Sequence, residues 1–353
     1  MAFLEIKNVK ICGFSACVPS KIEYNKDYPF YAEGEFERQL PTIGVEKRHV
    51  IEEGTTASDL CMEAAEKLIQ DLNWDKEDIQ LLIYSSPARD YVFPDTACIL
   101  QDRLGLSKST MAFDMTLGCT GWSYAINVIS SIMSANKLKK ALLLNGNMTT
   151  TENAYTDKTA YPLFSDAGSA TAIEYDEKAP LIVSEVGTDG SGYDCIIMKD
   201  GGRRHPFTAK SLELKEYGEN IKRSDLHMAM KGMEVFAFAL KTAPNSVLGL
   251  LEHIGKTVDD LDLCVFHQAN LFMLKKIVKK LKLPSEKVPF SIYQFGNTGS
   301  CSIPLTIVTE RAEQLRKGKS HNIGCAFGVG LSWGSVYFET ENLIIPELIL
   351  YKK

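Results

Sequence analysis

Two stretches of the chain show the same succession of apolar and polar positions. In the segment AAEKLIQDLNWDKEDIQLLIYSS, which starts at Ala64, apolar residues recur at helical spacing, a polar loop follows, and Asp78 precedes a short apolar run. The segment NSVLGLLEHIGKTVDDLDLCVFHQ, which starts at Asn245, repeats this succession with Asp260 before the apolar run. The pattern predicts a helix and then a strand in each half of the chain, which indicates an internal duplication.

Two later landmarks recur in the same order. A turn of small residues follows an apolar stretch in each half, GCTG at 118–121 and GNTG at 296–299. A glycine-containing apolar stretch comes after each turn, FSDAGSATAIEY from Phe164 and FGVGLSWGSVYF from Phe327, and we predict that both are strands. The polar, glycine-rich segment 183–223 interrupts the repeat, and we expect it to be a loop between the halves.

This order of elements favours parallel sheets that are covered by helices. We therefore predict an α/β fold with two similar halves, residues 1–182 and 183–353, packed as five layers in the order α/β/α/β/α.

Composition narrows the class of protein without identifying a function. The chain has 353 residues, of which 45% are hydrophobic and 24% are charged, and this is enough to form a sizeable core. The first ten residues carry charges, and no apolar run approaches the roughly 18 to 20 residues that span a bilayer, so we expect a cytoplasmic protein with no membrane partner. Nine scattered cysteines without CxxC pairs suit a reducing compartment. The net charge of -6 argues against a nucleic-acid partner.

The candidate nucleophile is Cys119, in the small-residue turn of the first half. An apolar stretch leads into this turn and helical periodicity follows it, so the sulfur is expected at or just before a helix N-terminus. Unpaired N–H groups and the helix dipole at such an end stabilise a thiolate. A lone cysteine is more often an inert core residue, but the flanking Gly118 and Gly121 raise the prospect of a reactive one.

The second half contributes two polar candidates. His267 follows the apolar run LCVF, so it is expected at the carboxyl edge of a parallel sheet, where ligands bind in such folds. Asn297 occupies the turn that corresponds to Cys119, and the duplication would bring the two turns face to face. Each has an ordinary alternative, because a histidine can satisfy a local hydrogen bond and Asn-Thr-Gly is a common turn.

The motifs LGCTGW, HQAN and FGNTGSCSIP, together with GVGLSWGS near the C-terminus, resemble the β-ketoacyl-acyl-carrier-protein synthase III group of the thiolase superfamily. The likeness covers residues 9–338. It implies a duplicated thiolase fold, a homodimer, and a decarboxylative condensation in fatty-acid or related biosynthesis. By this resemblance Cys119 carries the acyl primer, while His267 and Asn297 hydrogen-bond the thioester carbonyl of a malonyl unit as it loses carbon dioxide. The substrates would be thioesters of coenzyme A or of acyl carrier protein, with no further cofactor and no metal.

Other residues are candidates for the oxyanion hole, the acyl pocket and the docking surface for a carrier protein. The acyl oxygen needs an oxyanion hole, most simply the backbone N–H of Cys119 and one from the turn 327–330, with Gly330 as the candidate. The resemblance places Phe93 in the acyl pocket across a dimer interface, although it could equally be an ordinary interface or core aromatic. Four lysines crowd one predicted helix and would receive an acidic carrier protein, unless they form only a solvated helix face; they are Lys275, Lys276, Lys279 and Lys280.

The chain departs from the family pattern where coenzyme A is usually held. Arg38 and Thr42 stand where a Trp and an Arg are expected, and Lys158 stands near the position of a further arginine. Acyl-CoA as primer donor is therefore in doubt.

Three alternative functions stay open. The chain could be a thiolase with Cys325 as its second cysteine, although thiolases have a His-Pro pair where this chain has Asn297. It could be an acyltransferase or condensing enzyme of a specialised pathway that passes the acyl group to a non-malonyl acceptor. It could also be a non-catalytic partner subunit, which would have no use for the thiol.

Overall fold

The chain folds into alternating helices and strands, as its periodicity predicts. The structure is a computed structural model and describes residues 2–219 and 221–353. Within these ranges the strands are β1 (Ala2–Ile6), β2 (Val9–Pro19), β3 (Ile22–Tyr24), β4 (Lys47–His49), β5 (Ile79–Ser85), β6 (Met111–Met115), β7 (Lys140–Met148), β8 (Asp166–Tyr175), β9 (Ile182–Thr188), β10 (Ile196–Met198), β11 (Lys215–Gly218), β12 (Ile221–Arg223), β13 (Met228–Met230), β14 (Leu263–Phe266), β15 (Lys319–Gly328), β16 (Ser332–Glu341) and β17 (Ile349–Tyr351). The helices are α1 (Glu35–Ile43), α2 (Ala57–Asp71), α3 (Thr96–Arg103), α4 (Gly121–Asn136), α5 (Thr149–Glu152), α6 (Gly232–His253), α7 (Leu271–Leu281), α8 (Ile292–Phe295), α9 (Ser302–Glu310) and α10 (Ala312–Leu315).

Two large sheets organise these elements. One has the strand order β17-β2-β8-β7-β5-β6 and the other has the order β1-β9-β16-β15-β14. The repeated strands pair in parallel, β5 with β6 and β7 in the first sheet and β14 with β15 in the second. The pairs β7-β8 and β15-β16 are antiparallel. The prediction of parallel sheets is therefore wrong for part of each sheet, because the strand that closes each half turns back along its neighbour.

Burial arranges the two sheets and their helices in five layers. The helices α4 and α9 lie between the sheets, and Trp122, Ile126 and Ile303 share one apolar core with strands of both. The helices α2 and α3 cover the outer face of the six-stranded sheet, and α6 and α7 cover the outer face of the five-stranded sheet. The predicted layer order α/β/α/β/α is confirmed.

Each sheet also takes a strand from the opposite end of the chain. The strand β1 pairs antiparallel with β9 in the second sheet, and β17 pairs parallel with β2 in the first. The division into 1–182 and 183–353 separates the first residue of β9 from the rest of the strand, and it stays a prediction.

The loop predicted over 183–223 is wrong at its start, because β9 extends to Thr188 in the second sheet. Its polar composition misled the prediction. Glu185 is fully buried in this strand, where its carboxylate accepts hydrogen bonds from the Trp333 indole at 3.0 Å and from the Ser246 hydroxyl. The hydrogen bonds that make burial of such a side chain possible come from distant segments, so the sequence around it resembles that of an exposed loop.

The stretch FGVGLSWGSVYF was predicted to be one strand, and this is also wrong. The strand β15 ends at Gly328 and β16 begins at Ser332, so the stretch contains a tight turn. Gly328 and Gly330 have φ values of 155° and 141°, which side chains other than glycine rarely adopt. The two glycines therefore mark the turn rather than a strand interior.

Replacing Trp122 by Ala is expected to destabilise the whole fold. Its side chain is fully buried between the sheets, its ring centroid lies 5.8 Å from that of Phe338, and its indole N–H donates to Thr171 Oγ1 at 3.2 Å. Loss of such a ring costs about 3 to 5 kcal/mol, which chemical denaturation would measure. Trp122→Phe, which keeps most of the packing, should lose less. Equal stabilities of the wild type and the Ala variant would contradict this packing role.

Candidate active site

The two small-residue turns of the repeat lie at one cavity of about 400 Å³. Cys119 from the first half and His267 and Asn297 from the second all line it, together with Gly330. Its remaining wall is mainly apolar and comes from Leu163, Phe164, Ile196, Ile197, Met198, Met228, Met230 and Phe327, among others. The structure thus brings the three predicted catalytic residues to one cavity.

Cys119 lies in the connection between β6 and α4, two residues before the helix begins at Gly121. The expected position of Cys119 just before a helix is confirmed. Close packing holds this turn, since a Cβ atom at Gly121 would lie 2.7 Å from Ser85 Oγ, and one at Gly328 would lie 2.9 Å from Cys119 Sγ. Thr120 and Ser332, whose hydroxyl oxygens are 2.8 Å apart, join the turn to the second half. Glycine at 121 and 328 therefore lets the backbone of both halves approach the sulfur.

The protonation state of Cys119 differs from the expectation. Burial raises the pKa of the thiol above its ordinary value of 9.0, although the backbone N–H groups of Val329 and of Cys119 itself act in the opposite direction. Loss of hydration disfavours the charged form, and here it outweighs the nearby N–H donors. Cys119 is therefore a neutral thiol in the resting site at neutral pH.

His267 directly follows β14, and its own backbone N–H donates to the Cys325 carbonyl at 2.8 Å. The side chain is 1% exposed, and its ring meets the edge of the Phe327 ring at a centroid distance of 5.8 Å. Burial lowers the pKa of His267 to about 4, and a backbone hydrogen bond with Gly299 opposes this shift in part. The imidazole is therefore neutral at neutral pH.

Ser302 controls which ring nitrogen of His267 carries the proton. Its Oγ lies 2.7 Å from His267 Nδ1 and 2.8 Å from the Gly299 carbonyl oxygen. The hydroxyl has one proton and can donate it to only one of these acceptors at a time. When Ser302 donates to Nδ1, the proton of the neutral ring is on Nε2 and can be donated elsewhere. When Ser302 donates to Gly299, the ring donates through Nδ1 instead.

Asn297 has a fixed amide orientation. Its Oδ1 accepts from the backbone N–H of Gly299 at 3.0 Å, which identifies the other side-chain atom as the NH₂ group. Its backbone is held on both sides, because its N–H donates to Leu163 at 2.9 Å and its carbonyl accepts from Ser165 at 3.0 Å. The Nδ2 atom is 3.5 Å from the Ala269 carbonyl, which is too long for a strong hydrogen bond. The amide N–H groups are therefore available to a ligand in the cavity.

Other predicted site residues lie outside this cavity. Phe93 is 79% exposed and is not among the described residues that line it. The lysines of α7 are also exposed; Lys276 lies over the Phe272 ring at 5.0 Å, and Lys280 donates to the Leu240 carbonyl at 3.1 Å. This helix follows Asn270, which lines the cavity, so the basic surface is close to the site in sequence.

Several polar residues around the cavity were not predicted, and three of them matter most for its chemistry. Asn147 and Glu152 line it, and Ser302 supports His267 from behind. Asn147 is fixed by donating to the Ser165 carbonyl at 2.7 Å and accepting from Thr149 at 2.6 Å. The sequence did carry a signal for the first two, because the polar run NGNMTTTEN follows the apolar run ALLL just as His267 follows LCVF. Ser302 had no such signal in the sequence.

Family models that match this chain name the same family for its two parts. Two family models match, 3-oxoacyl-[acyl-carrier-protein] synthase III over residues 113–190 and the C-terminal part of the same family over residues 251–340. The first segment contains Cys119, and the second contains His267 and Asn297.

Curated relatives match over almost their whole length. The beta-ketoacyl-[acyl-carrier-protein] synthase III of Syntrophomonas wolfei is 31% identical over 93% of this chain and 96% of its own. The protein of that name from Clostridium perfringens is also 31% identical, over 94% of this chain and 98% of its own. A crystal structure of 3-oxoacyl-(acyl-carrier protein) synthase from Burkholderia xenovorans superposes with a TM-score of 0.93 at 34% identity, covering 99% of both chains. The predicted thiolase fold is confirmed.

The raised pKa of Cys119 predicts a slow, strongly pH-dependent alkylation. Only the thiolate reacts with iodoacetamide, so the rate at Cys119 should still be rising at pH 9 in the substrate-free protein. Peptide mass spectrometry across a pH series would measure it, with the exposed Cys98 as the internal reference. A rate at Cys119 that levels off below pH 8 would show that the helix start, and not burial, controls the thiol.

Proposed function

Because the chain belongs to the 3-oxoacyl-[acyl-carrier-protein] synthase III family, we propose that it condenses an acyl group carried on Cys119 with the malonyl thioester of an acyl carrier protein. The reaction releases carbon dioxide and gives a β-ketoacyl thioester, as in fatty-acid or related biosynthesis. The observation that carries the proposal is the meeting of a thiol, a neutral imidazole and an oriented amide at one largely apolar cavity; they belong to Cys119, His267 and Asn297.

The first step is transfer of the acyl group to Cys119. The sulfur attacks the thioester carbonyl, the acyl–sulfur bond to the donor breaks, and the leaving thiolate takes up the proton that Cys119 releases. We assign the oxyanion hole of this step to the backbone N–H groups of Cys119 and Gly330. Gly330 lies in the turn between β15 and β16, and both residues line the cavity.

The second step is decarboxylation of the malonyl thioester. Its carbonyl accepts from Asn297 Nδ2–H and from His267 Nε2–H. The second donor requires the hydroxyl proton of Ser302 to turn from the Gly299 carbonyl to His267 Nδ1. Loss of carbon dioxide puts negative charge on that oxygen, where one positioned donor is worth about 3 kcal/mol. The resulting carbanion attacks the acyl carbon on Cys119, the bond between that carbon and the Cys119 sulfur breaks, and the released thiolate takes up a proton from solvent. This scheme requires no cofactor or metal beyond the thioester substrates.

Carrier protein is also the proposed source of the primer. Lys158, which stands near a position used for coenzyme A in the family, forms an ion pair with Glu35 at 3.0 Å. Their side chains are 18% and 13% exposed, so Lys158 is neutralised by the protein itself and is less available to a nucleotide phosphate. The exposed lysines of α7 offer a positive surface to an acidic carrier protein.

We further propose a homodimer in the cytoplasm. Tyr91, Val92 and Phe93 are 64%, 68% and 79% exposed, and a second copy would cover this apolar loop while Phe93 enters the partner's acyl pocket. No helix within residues 2–219 and 221–353 is long and apolar enough to cross a membrane.

The alternative functions have less support. Cys325, the second cysteine of a thiolase, is fully buried in β15, burial raises its pKa to about 12, and it is not among the described residues at the cavity. Transfer to a non-malonyl acceptor is not favoured, because the curated relatives described above are named as synthases. A non-catalytic subunit has no need for a thiol with oriented donors beside it.

The proposal predicts different defects for the three catalytic residues. Cys119→Ala should take up no acyl group and give no condensation product, although it can still release carbon dioxide from malonyl carrier protein. His267→Ala and Asn297→Ala should acylate at Cys119 but lose about 100-fold or more in decarboxylation, because each lacks one donor. Intact-protein mass spectrometry and release of labelled carbon dioxide would measure the two steps separately.

Each result that departs from these expectations would contradict a different part of the proposal. Normal decarboxylation in both donor variants would remove the role given to His267 and Asn297. Acylation of the wild type without decarboxylation would support a non-malonyl acceptor, and no acylation by any thioester would support a non-catalytic subunit.

Charge reversal on α7 tests the docking surface. Lys279→Glu with Lys280→Glu should slow acyl transfer from carrier protein by about tenfold or more at low salt, and leave transfer from a small pantetheine thioester unchanged. Lys137→Glu with Lys139→Glu is the matched control, because these two lysines are 71% exposed, lie in the connection between α4 and β7, and are not among the described residues that line the cavity. Equal slowing of both donors would refute the docking role of α7.

A further inference from the structure

Glu152 is an acidic residue of the catalytic cavity that the proposed condensation does not use. It ends the short helix α5, which follows β7 directly, so it comes from the same edge of the first sheet as Asn147. Both residues line the cavity that contains Cys119. Among the described lining residues, Glu152 is the one carboxylic acid.

The carboxyl group of Glu152 has no partner in the described part of the chain, in contrast to its neighbour Asp166. The Asp166 carboxylate accepts from the Ile51 N–H at 2.8 Å, from the Thr150 N–H at 3.1 Å and from the Thr150 hydroxyl. No hydrogen bond or ion pair within 2–219 and 221–353 involves the side chain of Glu152. Glu152 is half-buried, and its unpaired carboxyl lies at a substrate cavity, where a ligand that displaces water can supply the partner that polar groups in folded proteins normally have.

The electrostatic surroundings of Glu152 favour a hydrogen-bond donor. Burial raises its pKa to about 7, and the charge of Asp166 adds to the effect. The titratable groups around it are Asp166 on β8, whose own pKa is raised to about 6, and the Cys119 thiol, whose pKa Glu152 raises in turn. Arg48 acts on Asp166, and no cation lowers the pKa of Glu152. The carboxyl therefore lacks both a donor and a counter-charge.

The wall of the cavity that Glu152 shares is suited to an aliphatic chain. Leu163, Phe164 and Ile197 line the same cavity, and the turn 328–330 closes it on the side of Cys119. An acyl chain attached to Cys119 would bury its methylene groups against this wall. A plain alkyl chain would also remove water from Glu152 without replacing the lost hydrogen bonds, which is unfavourable.

We propose that Glu152 selects a primer whose acyl chain carries a hydrogen-bond donor, a hydroxyl or an amino group, and that the carboxyl of Glu152 accepts from this group while Cys119 holds the acyl carbon. The inference rests on the proposed condensation, because it requires an acyl group on Cys119. It concerns which primer is chosen and leaves the chemistry of the two steps unchanged.

The test compares pantetheine thioesters of acyl chains of matched length. One chain is plain, one carries a hydroxyl group and one carries an amino group, and the position of the hydroxyl or amino group is varied along the chain. The rate of Cys119 acylation, followed by intact-protein mass spectrometry, should favour at least one donor-bearing chain by about tenfold or more, the ratio that one hydrogen bond to a charged group supplies. A hydroxyl preference alone or an amino preference alone identifies the donor.

Two variants separate selection from general damage. Glu152→Leu should prefer the plain chain, because an apolar side chain then faces the donor. Glu152→Gln should keep a preference for a hydroxyl group, which its amide oxygen can accept, and lose any preference for a charged amine. The control Glu77→Gln removes an exposed carboxylate outside the cavity and should retain the wild-type preference.

A stability measurement checks the surroundings of Glu152 without using activity. Its pKa is raised from 4.5 to about 7 in the folded protein, so ionisation disfavours the fold increasingly between these pH values. Glu152→Gln should therefore gain melting temperature relative to the wild type at pH 8, and the gain should shrink towards pH 4. A gain of the same size at both pH values would contradict an unpaired, buried carboxyl.

The outcomes distinguish this inference from the function on which it rests. Acylation of the wild type by plain chains as fast as by every donor-bearing chain would overturn the role of Glu152 and leave the condensation intact. Absence of acylation by all primers would overturn both. A donor preference that persists in Glu152→Leu would assign selection to another residue.

Discussion

Partial burial at one cavity shifts the pKa values of the titratable groups around Cys119 in favour of their uncharged forms. Burial raises the pKa of the Cys119 thiol, lowers that of His267 to about 4, and raises that of Glu152 to about 7. All three shifts favour the uncharged form, as loss of hydration does for acids and bases alike. The resting site thus contains little charge, and in the proposed mechanism the N–H groups of Asn297 and His267 stabilise the negative charge that develops when the malonyl unit loses carbon dioxide. Such donors are more effective in a dry site than in water.

One peptide segment contacts both groups before any substrate arrives. The N–H of Gly299 donates to Asn297 Oδ1 and fixes that amide, while the carbonyl oxygen of Gly299 competes with His267 Nδ1 for the proton of Ser302 Oγ, which lies 2.8 Å and 2.7 Å from them. A side chain cannot replace this glycine, because its φ is 52° and a Cβ atom would lie 2.2 Å from Asn147 Oδ1. A small displacement of this turn would therefore disturb both donors together, which makes its packing against Asn147 part of the catalytic arrangement.

The sequence was sufficient to predict those features of the fold and the site that follow from the internal duplication. The paired turns predicted that Cys119 and Asn297 would meet, and the strand ending at Phe266 predicted where His267 would lie. It was insufficient where a polar residue is used inside the core or behind the site. The polar Glu185 led to the prediction of a loop where the structure has the buried strand β9. Ser302 contacts His267 only because the fold brings two separate segments of the chain together. The raised pKa of Cys119 could not be predicted either, since a helix start is visible in sequence whereas the depth of burial is not.

The duplication also explains how this site can combine fixed chemistry with a variable choice of substrate. Each half supplies the same scaffold positions. Both copies of the small-residue turn have a role in the proposed mechanism, Cys119 and Asn297, whereas at other positions one copy is enough. Where the strand β14 ends in the donor His267, the corresponding strand β5 leads to Pro87, which only forms cavity wall. Where β15 leads to the turn beside Cys119, β7 leads to Glu152. Pro87 and Glu152 reach the same cavity but take no part in bond making in the proposed mechanism. Their side chains can therefore vary with the acyl chain that the cavity receives. Glu152 and Pro87 are therefore the kind of position at which members of one family can differ in primer while retaining one mechanism.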